Sequence, residues 1–355
     1  MRIVHVDSAR GWRGGQNQVL LTAKGMERRG HEVIVACRAG SALRDRARAA
    51  GLDVQEVAFG GDFVPGPVLA LRQLVRRFRA DVVHVHDPHA AAAALWIGSP
   101  PAGLIASRRV DFALRGPLSR WKYRRCRRVI AVSAAVARVL EKDGLAPASL
   151  RVVYEGVPDR APAGGGEDAL RALGVPAGAP VVGNVAALTA HKDHATLLAA
   201  AARVIVRVPE ARFVIVGQGE LESQLRTQAY ALGLEGHVVF AGFRADVDRL
   251  LPAFDVFCLS SHMEGLGTSL LDAMCYARAV VGTAAGGIPE AVVDGVTGRV
   301  VPPRQPEALA EALTQVLQNR TRREAMGRAG RARFLDRFTA DRMVEETLRV
   351  YLEAP

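Results

Sequence analysis

Two carboxylates eight positions apart, Glu264 and Asp272, lie in residues 262–289, on either side of the turn Gly265-Leu266-Gly267-Thr268-Ser269. Small residues running into a helix start expose unpaired N–H groups and the positive end of the helix dipole, which suits a phosphate. A carboxylate repels phosphate but accepts hydrogen bonds from sugar hydroxyls. Phosphate donors beside sugar-reading carboxylates describe a nucleotide-sugar site, with Gly267, Thr268 and Ser269 on its phosphate side. Lys192 precedes a helical pattern at the end of residues 184–194 and offers a cation for a diphosphate. The alternative is a lysine on a solvated loop.

Other segments offer weaker signals. Asp7 ends an opening strand pattern, and Trp12-Arg13-Gly14-Gly15 leads into a helix expected from about Gln16. Paired glycines let the backbone approach a phosphate, although an ordinary turn looks similar. His84, His86, Asp87 and His89 end another strand pattern. One segment rarely closes a metal site and no second cluster is evident, so no metal is expected. His86 and His89 are instead candidates for substrate contact, with packing as the plain alternative. Gly217, after a strand, is placed to pass close to a ligand, and Gly242-Phe243, after the next, to frame a base.

These residues need a scaffold that brings strand ends together. Short β-like runs alternate with helical patterns over residues 2–153, and again over 181–301. Such alternation implies right-handed crossovers and parallel sheets, with ligands at the carboxyl ends of the strands. Residues 157–166, rich in Pro and Gly, read as the linker. The expected division is 1–160, 161–339 and a final helix, 340–355, packing back on the first domain. With 355 residues, 49% of them hydrophobic, the chain can bury two cores.

The formal charge of +11 favours anionic partners. Cys37, Cys126, Cys258 and Cys275 form no CxxC pair, which fits a reducing cytosol. The opening residues do not read as a signal peptide. The apolar stretch 90–105 is interrupted by Pro100-Pro101 and too short to span a bilayer. Residues 115–128, RGPLSRWKYRRCRR, combine many basic side chains with Trp121 and Tyr123 and suit an anionic membrane surface; a solvated face and phosphate contacts are the alternatives. The expected location is cytoplasmic, at most peripheral on the inner face of the cell membrane.

Taken together, WRGGQ, DVVHVHDPHA, VVYEGVPD, HKDHATLL, FVIVGQGE, VVFAGF, SSHMEGLGTSLLDAM and GGIPEAVVDGVTGRVVPP resemble glycosyltransferase family 4 over almost the whole chain. The resemblance implies an α/β fold of the GT-B type, two Rossmann-like doubly wound domains facing across a cleft. It implies retaining transfer of a sugar from a nucleoside diphosphate sugar, UDP- or GDP-linked, with no further cofactor. Glu264 takes the place of the glutamate on the donor sugar, Asp272 that of the ribose glutamate, and Lys192 that of the diphosphate lysine. Four positions depart from the family pattern, one of them Arg109, which stands roughly where many relatives carry a first-domain histidine. Asp272 is one methylene short, Ala187 stands where an arginine is frequent, and Glu155 replaces the hinge asparagine. Arg108 or Arg109, near the place of a first-domain histidine, is therefore expected to reach across to the diphosphate. The implied partners are the nucleotide-sugar and a glycan, lipid-linked or lipopolysaccharide-type acceptor. A nucleotide-sugar epimerase of the same architecture is the alternative. A nucleic-acid binder is suggested only by charge, and no nucleic acid is expected as partner.

Overall fold

The computed structural model describes residues 1–60, 65–98 and 103–353. It divides into two compact units, one of Met1–Val157 with Thr339–Pro355 and one of Pro158–Phe338.

Among the described residues, the first unit holds seven parallel strands: β1 Arg2–Asp7, β2 Glu32–Arg38, β3 Asp53–Val57, β4 Val82–Val85, β5 Leu104–Arg108, β6 Arg128–Ala131 and β7 Leu150–Val152. Their order is β3-β2-β1-β4-β5-β6-β7. Val and Ile run through both faces of the central strands because helices cover both faces, as parallel crossovers require. One apolar layer gathers Val4, Val6, Val83 and Val85 with Leu71 and Leu74. The other gathers Ile3, Val35 and Val82 with Met26 and, from helix Ala340–Leu352, Val344. Gly25 permits that last approach, since a Cβ there would lie 2.5 Å from Val344.

The second unit repeats the plan with β8 Val181–Val185, β9 Arg212–Val216, β10 Val238–Gly242, β11 Val256–Leu259, β12 Ala279–Thr283 and β13 Gly298–Val301, ordered β10-β9-β8-β11-β12-β13. In both sheets the winding reverses between two central strands, β1 and β4 in one, β8 and β11 in the other. Neighbouring loops diverge there and leave a crevice above the carboxyl ends. The pattern and the order are those of two Rossmann-like domains.

Side-chain caps set several helix starts. Ser41, Asp87, Ser133, Asp193, Asn319 and Thr339 each accept a backbone N–H from the first turn. Asp87 opens a helix, Pro88–Ala94, that takes up the start of the apolar stretch; Pro100-Pro101 lies outside the described residues. The first long helix is Gly14–Glu27, two residues earlier than expected, so Gly14 and Gly15 form its first turn and not a preceding loop. Gly166, placed in the linker from sequence, begins helix Gly166–Ala172. No helix among the described residues is long and apolar enough to cross a membrane.

Ala277, just past helix Thr268–Cys275, holds φ at +55°. Glycine is the residue for this left-handed position, and alanine is strained there by about 1 kcal/mol. The Ala277→Gly variant is expected to gain about 1 kcal/mol in urea unfolding.

Candidate functional site

In the second unit, the loops after β8 and β11 flank the point where the winding reverses. Ala190–Lys192 forms a single 3-10 turn, and Asp193, at φ +50°, then caps helix His194–Arg207. The loop after β11 folds against this turn: the His262 N–H donates to the His191 carbonyl at 3.0 Å, and Ser260 Oγ to the Lys192 carbonyl at 3.0 Å. These bonds bring Lys192 Nζ onto Glu264 Oε2 as an ion pair, and Ser261 Oγ donates to the same oxygen at 3.1 Å. The two side chains are only 18% and 13% exposed, so water screens the pair weakly.

Gly267 caps the next helix at φ +91°, where a Cβ would stand 3.6 Å from Glu264 Cγ. The first amide groups of Thr268–Cys275 thus open beside Glu264. The Gly287 N–H donates to the Glu264 carbonyl at 3.3 Å, drawing the later glycine loop to the same spot. Behind, Asn184 Nδ2 donates to the Cys258 carbonyl at 2.9 Å and Asn184 Oδ1 lies 3.0 Å from His194 Nε2, tying β8 to β11. Burial, with help from Lys192 and His191, lowers the His194 pKa to about 4, so this tie stays uncharged.

Asp272 lies one turn along the helix, its Oδ1 3.7 Å from Arg160 Nη1. Burial raises its pKa to about 7, and Arg160 opposes that rise. Gly217 serves its own chain closely: a Cβ there would meet the Ala186 carbonyl at 1.9 Å. Gly242 ends β10 at φ +64°, and Phe243 beyond it is 61% exposed.

In the first unit, β1 and β4 pair with His5 opposite His84. His5, His84 and His86 all lie buried, with ring nitrogens within 4.8 Å of one another. Sequence reasoning missed His5; the echo of VHVD in β1 and VHVHD at β4 was the available signal. A cluster of three imidazoles suggests a metal, but hydrogen bonds occupy both ring nitrogens of His84 and of His86, and only His5 Nε2 is buried without a partner among the described residues. His84 meets the Tyr351 hydroxyl at 2.5 Å and Ser107 Oγ at 2.7 Å. Arg109 Nη2 lies 3.1 Å from His86 Nδ1, and a guanidinium only donates. His86 Nδ1 therefore accepts and its Nε2–H donates to His5 Nδ1 at 2.9 Å. Burial lowers all three pKa values, that of His5 to about 3, with the Arg109 charge assisting.

Arg109 itself is held in this unit. Its Nε lies 3.0 Å from Glu155 Oε1, and its Cδ would stand 3.6 Å from a Cβ on Gly15. Arg108 Nη2 donates to the Phe112 carbonyl at 2.7 Å. Both arginines, expected to serve a diphosphate, have partners beside them. His86 is buried and His89, on the first turn of Pro88–Ala94, is exposed. In the basic segment 115–128, helix Gly116–Arg124 turns Lys122 and Tyr123 inward, and Lys122 Nζ donates to the Pro88 carbonyl at 3.1 Å. Arg128 pairs with Glu353 at 2.9 Å. Of the two aromatics expected at an anionic membrane surface, Tyr123 is buried in the core, whereas Trp121 is exposed beside Trp96, their ring centroids 6.2 Å apart.

The profile described as Glycosyl transferases group 1 matches residues 167–333, and that of Glycosyltransferase Family 4 matches residues 12–160. A 2-deoxystreptamine N-acetyl-D-glucosaminyltransferase of Streptomyces fradiae is 31% identical over 315 residues, 79% of this chain and 73% of its own. The lipopolysaccharide core biosynthesis glycosyltransferase LpsE of Rhizobium meliloti is 30% identical over 52% of this chain and 53% of its own. Several other curated relatives match over about half of their length or less. Among solved structures, Anabaena Alr3699/HepE in complex with UDP and glucose superposes with a TM-score of 0.85 at 23% identity, covering 98% of each chain.

An aspartate near 3.8 when unfolded and about 7 when folded binds more protons in the native state between those values. Stability conferred by its protonated form is present at low pH and is lost as pH rises from about 4 to 7. Asp272→Asn is expected to flatten the fall in urea stability between pH 5 and pH 8. A fall equal to that of the parent chain would contradict the assignment.

Proposed function

The chain belongs to glycosyltransferase family 4, and from that premise we propose that it transfers a sugar, with retention, from a nucleoside diphosphate sugar to a glycan, lipid-linked or lipopolysaccharide-type acceptor. The observation that carries this reading is the Lys192–Glu264 ion pair beside the helix start at Gly267, where β8 and β11 diverge. It sets a cation, open amide groups and a sugar-reading carboxylate within one unit. UDP bound to the Anabaena relative supports a nucleotide donor.

In this scheme Lys192 and the amide groups of Gly267, Thr268 and Ser269 take the diphosphate, Glu264 orients the sugar and Asp272 holds the ribose. Gly217, Gly242 and Phe243 border the nucleotide. The C1–O bond to the diphosphate breaks with its electron pair on the leaving oxygen. Lys192 and the amides are already oriented to meet that charge, which is the largest contribution preorganised donors make. The acceptor hydroxyl attacks from the face of departure, and its proton passes to the leaving diphosphate. No cofactor besides the donor takes part. His86 and His89 are assigned to the acceptor side in the first unit. Gly14, Gly15, Arg108 and Arg109 shape that side, with Arg109 working through His86.

We assign the anionic-membrane contact to the first unit. Trp96, Trp121, Leu118 and Phe112 are 55%, 37%, 50% and 43% exposed. Arg125 lies over the Trp121 ring and Arg115 over Phe112. Interfacial tryptophans with basic neighbours suit an acidic bilayer.

Incubation with a panel of nucleoside diphosphate sugars should give slow release of the nucleoside diphosphate from one donor. Lys192→Ala should lower that rate by about 10²–10³-fold. Formation of an epimer from donor alone would contradict transfer. Flotation with liposomes containing acidic lipid should recover the parent chain and far less of a Trp96→Ala/Trp121→Ala variant. Equal partition with and without acidic lipid would remove the membrane assignment.

A further inference from the structure

At its carboxyl end, helix Thr268–Cys275 borders a cavity of about 530 Å³ lined by Asp159, Arg160, Cys275, Tyr276, Arg278 and Arg331. Three guanidinium groups face one carboxylate there. Arg331 is paired with Asp159 at 2.6 Å and lies 3.4 Å from Cys275 Sγ. Arg278 donates to the carbonyls of Tyr276 at 3.0 Å and Phe254 at 3.5 Å, and no carboxylate among the described residues lies at ion-pair distance from it. Burial pushes its pKa down, and the charges of Asp255 and Glu324, beyond ion-pair distance, oppose that only in part. The helix end does not oppose an anion strongly, because the N–H groups of Tyr276, Ala277 and Arg278 already meet its last carbonyls.

Arg160 links this cavity to the donor loop. It is 44% exposed, lines the cavity, and reaches Asp272 at 3.7 Å. We propose that the cavity binds a small oxyanion of the phosphate or phosphate-ester class, and that Arg160 couples its occupancy to Asp272. The coupling rests on the reading of Asp272 as the ribose carboxylate. One guanidinium cannot serve both partners at full strength. An anion that draws Arg160 into the cavity leaves Asp272 without its compensating charge. Asp272 then takes up a proton more readily, and its grip on the ribose weakens. Linkage makes the effect reciprocal: bound nucleotide weakens the anion.

Calorimetric titration with inorganic phosphate at fixed ionic strength tests the site. The parent chain should bind phosphate saturably, Arg331→Gln at least tenfold more weakly, and Arg203→Gln, a surface arginine of helix His194–Arg207, as the parent does. Arg160→Gln serves the same purpose if Arg331→Gln does not fold. Absence of saturable binding, or its loss in Arg203→Gln with retention in Arg331→Gln, would overturn the site. Phosphate should also weaken nucleoside diphosphate binding several-fold at pH 7 and little at pH 9, where Asp272 stays ionised. An unchanged nucleotide affinity at pH 7 would overturn the coupling. Failure of nucleoside diphosphate to bind at all would instead remove the donor reading on which it rests.

Discussion

A doubly wound parallel sheet must reverse its winding somewhere, and the loops on the two sides of that reversal lean apart. No helix can cover the crevice they leave. In the second unit the reversal falls between β8 and β11, and the chain fills its rim with a lysine from one loop and a glutamate from the other. Ser260, Ser261 and His262 hold the loops together by short-range hydrogen bonds, so the pair depends on backbone placement and not on two long side chains finding each other. Burying either charge alone would be costly. Each charge therefore holds the other in place.

The first unit handles its buried charge differently. Arg109 and Glu155 form an ion pair with side chains 15% and 10% exposed. The guanidinium then fixes the protonation of His86 and, through it, of His5. The result is a polar layer of neutral imidazoles under the strand ends, anchored to the last helix by the Tyr351 hydroxyl. Such a layer orients side chains without contributing a titrating group near neutral pH, because burial holds the imidazoles unprotonated. Two departures from the family pattern, an arginine at 109 and a glutamate at 155, answer each other.

Much of this was legible in the sequence, because its signals were periodic or local. Alternating apolar runs at fixed spacing marked both sheets, and the acid–turn–helix pattern at Glu264 carried its own chemistry. What escaped was set by register and by orientation. His5 meets His84 only because β1 pairs with β4 across some eighty intervening residues. Arg109 and Glu155 were read as separate oddities, since nothing in a linear chain shows that they touch. In the basic segment, composition pointed to a surface, but a short helix with cations around its circumference does not declare which side faces in; Lys122 and Tyr123 did, and Trp96 came from the turn after helix Pro88–Ala94. Gly14 and Gly15 looked like a loop because glycine is the usual turn residue, yet they begin a helix.

The central claim is that Lys192 and Glu264 divide the donor between them, one on the diphosphate and the other on the sugar. Binding of a nucleoside diphosphate and of the matching nucleotide-sugar to Lys192→Ala and Glu264→Ala separates the two roles. The account predicts that Lys192→Ala weakens both ligands, whereas Glu264→Ala weakens the nucleotide-sugar and leaves the bare nucleotide as tight or tighter, since its lysine is released. Equal losses for both ligands in both variants, or no loss in either, would contradict it.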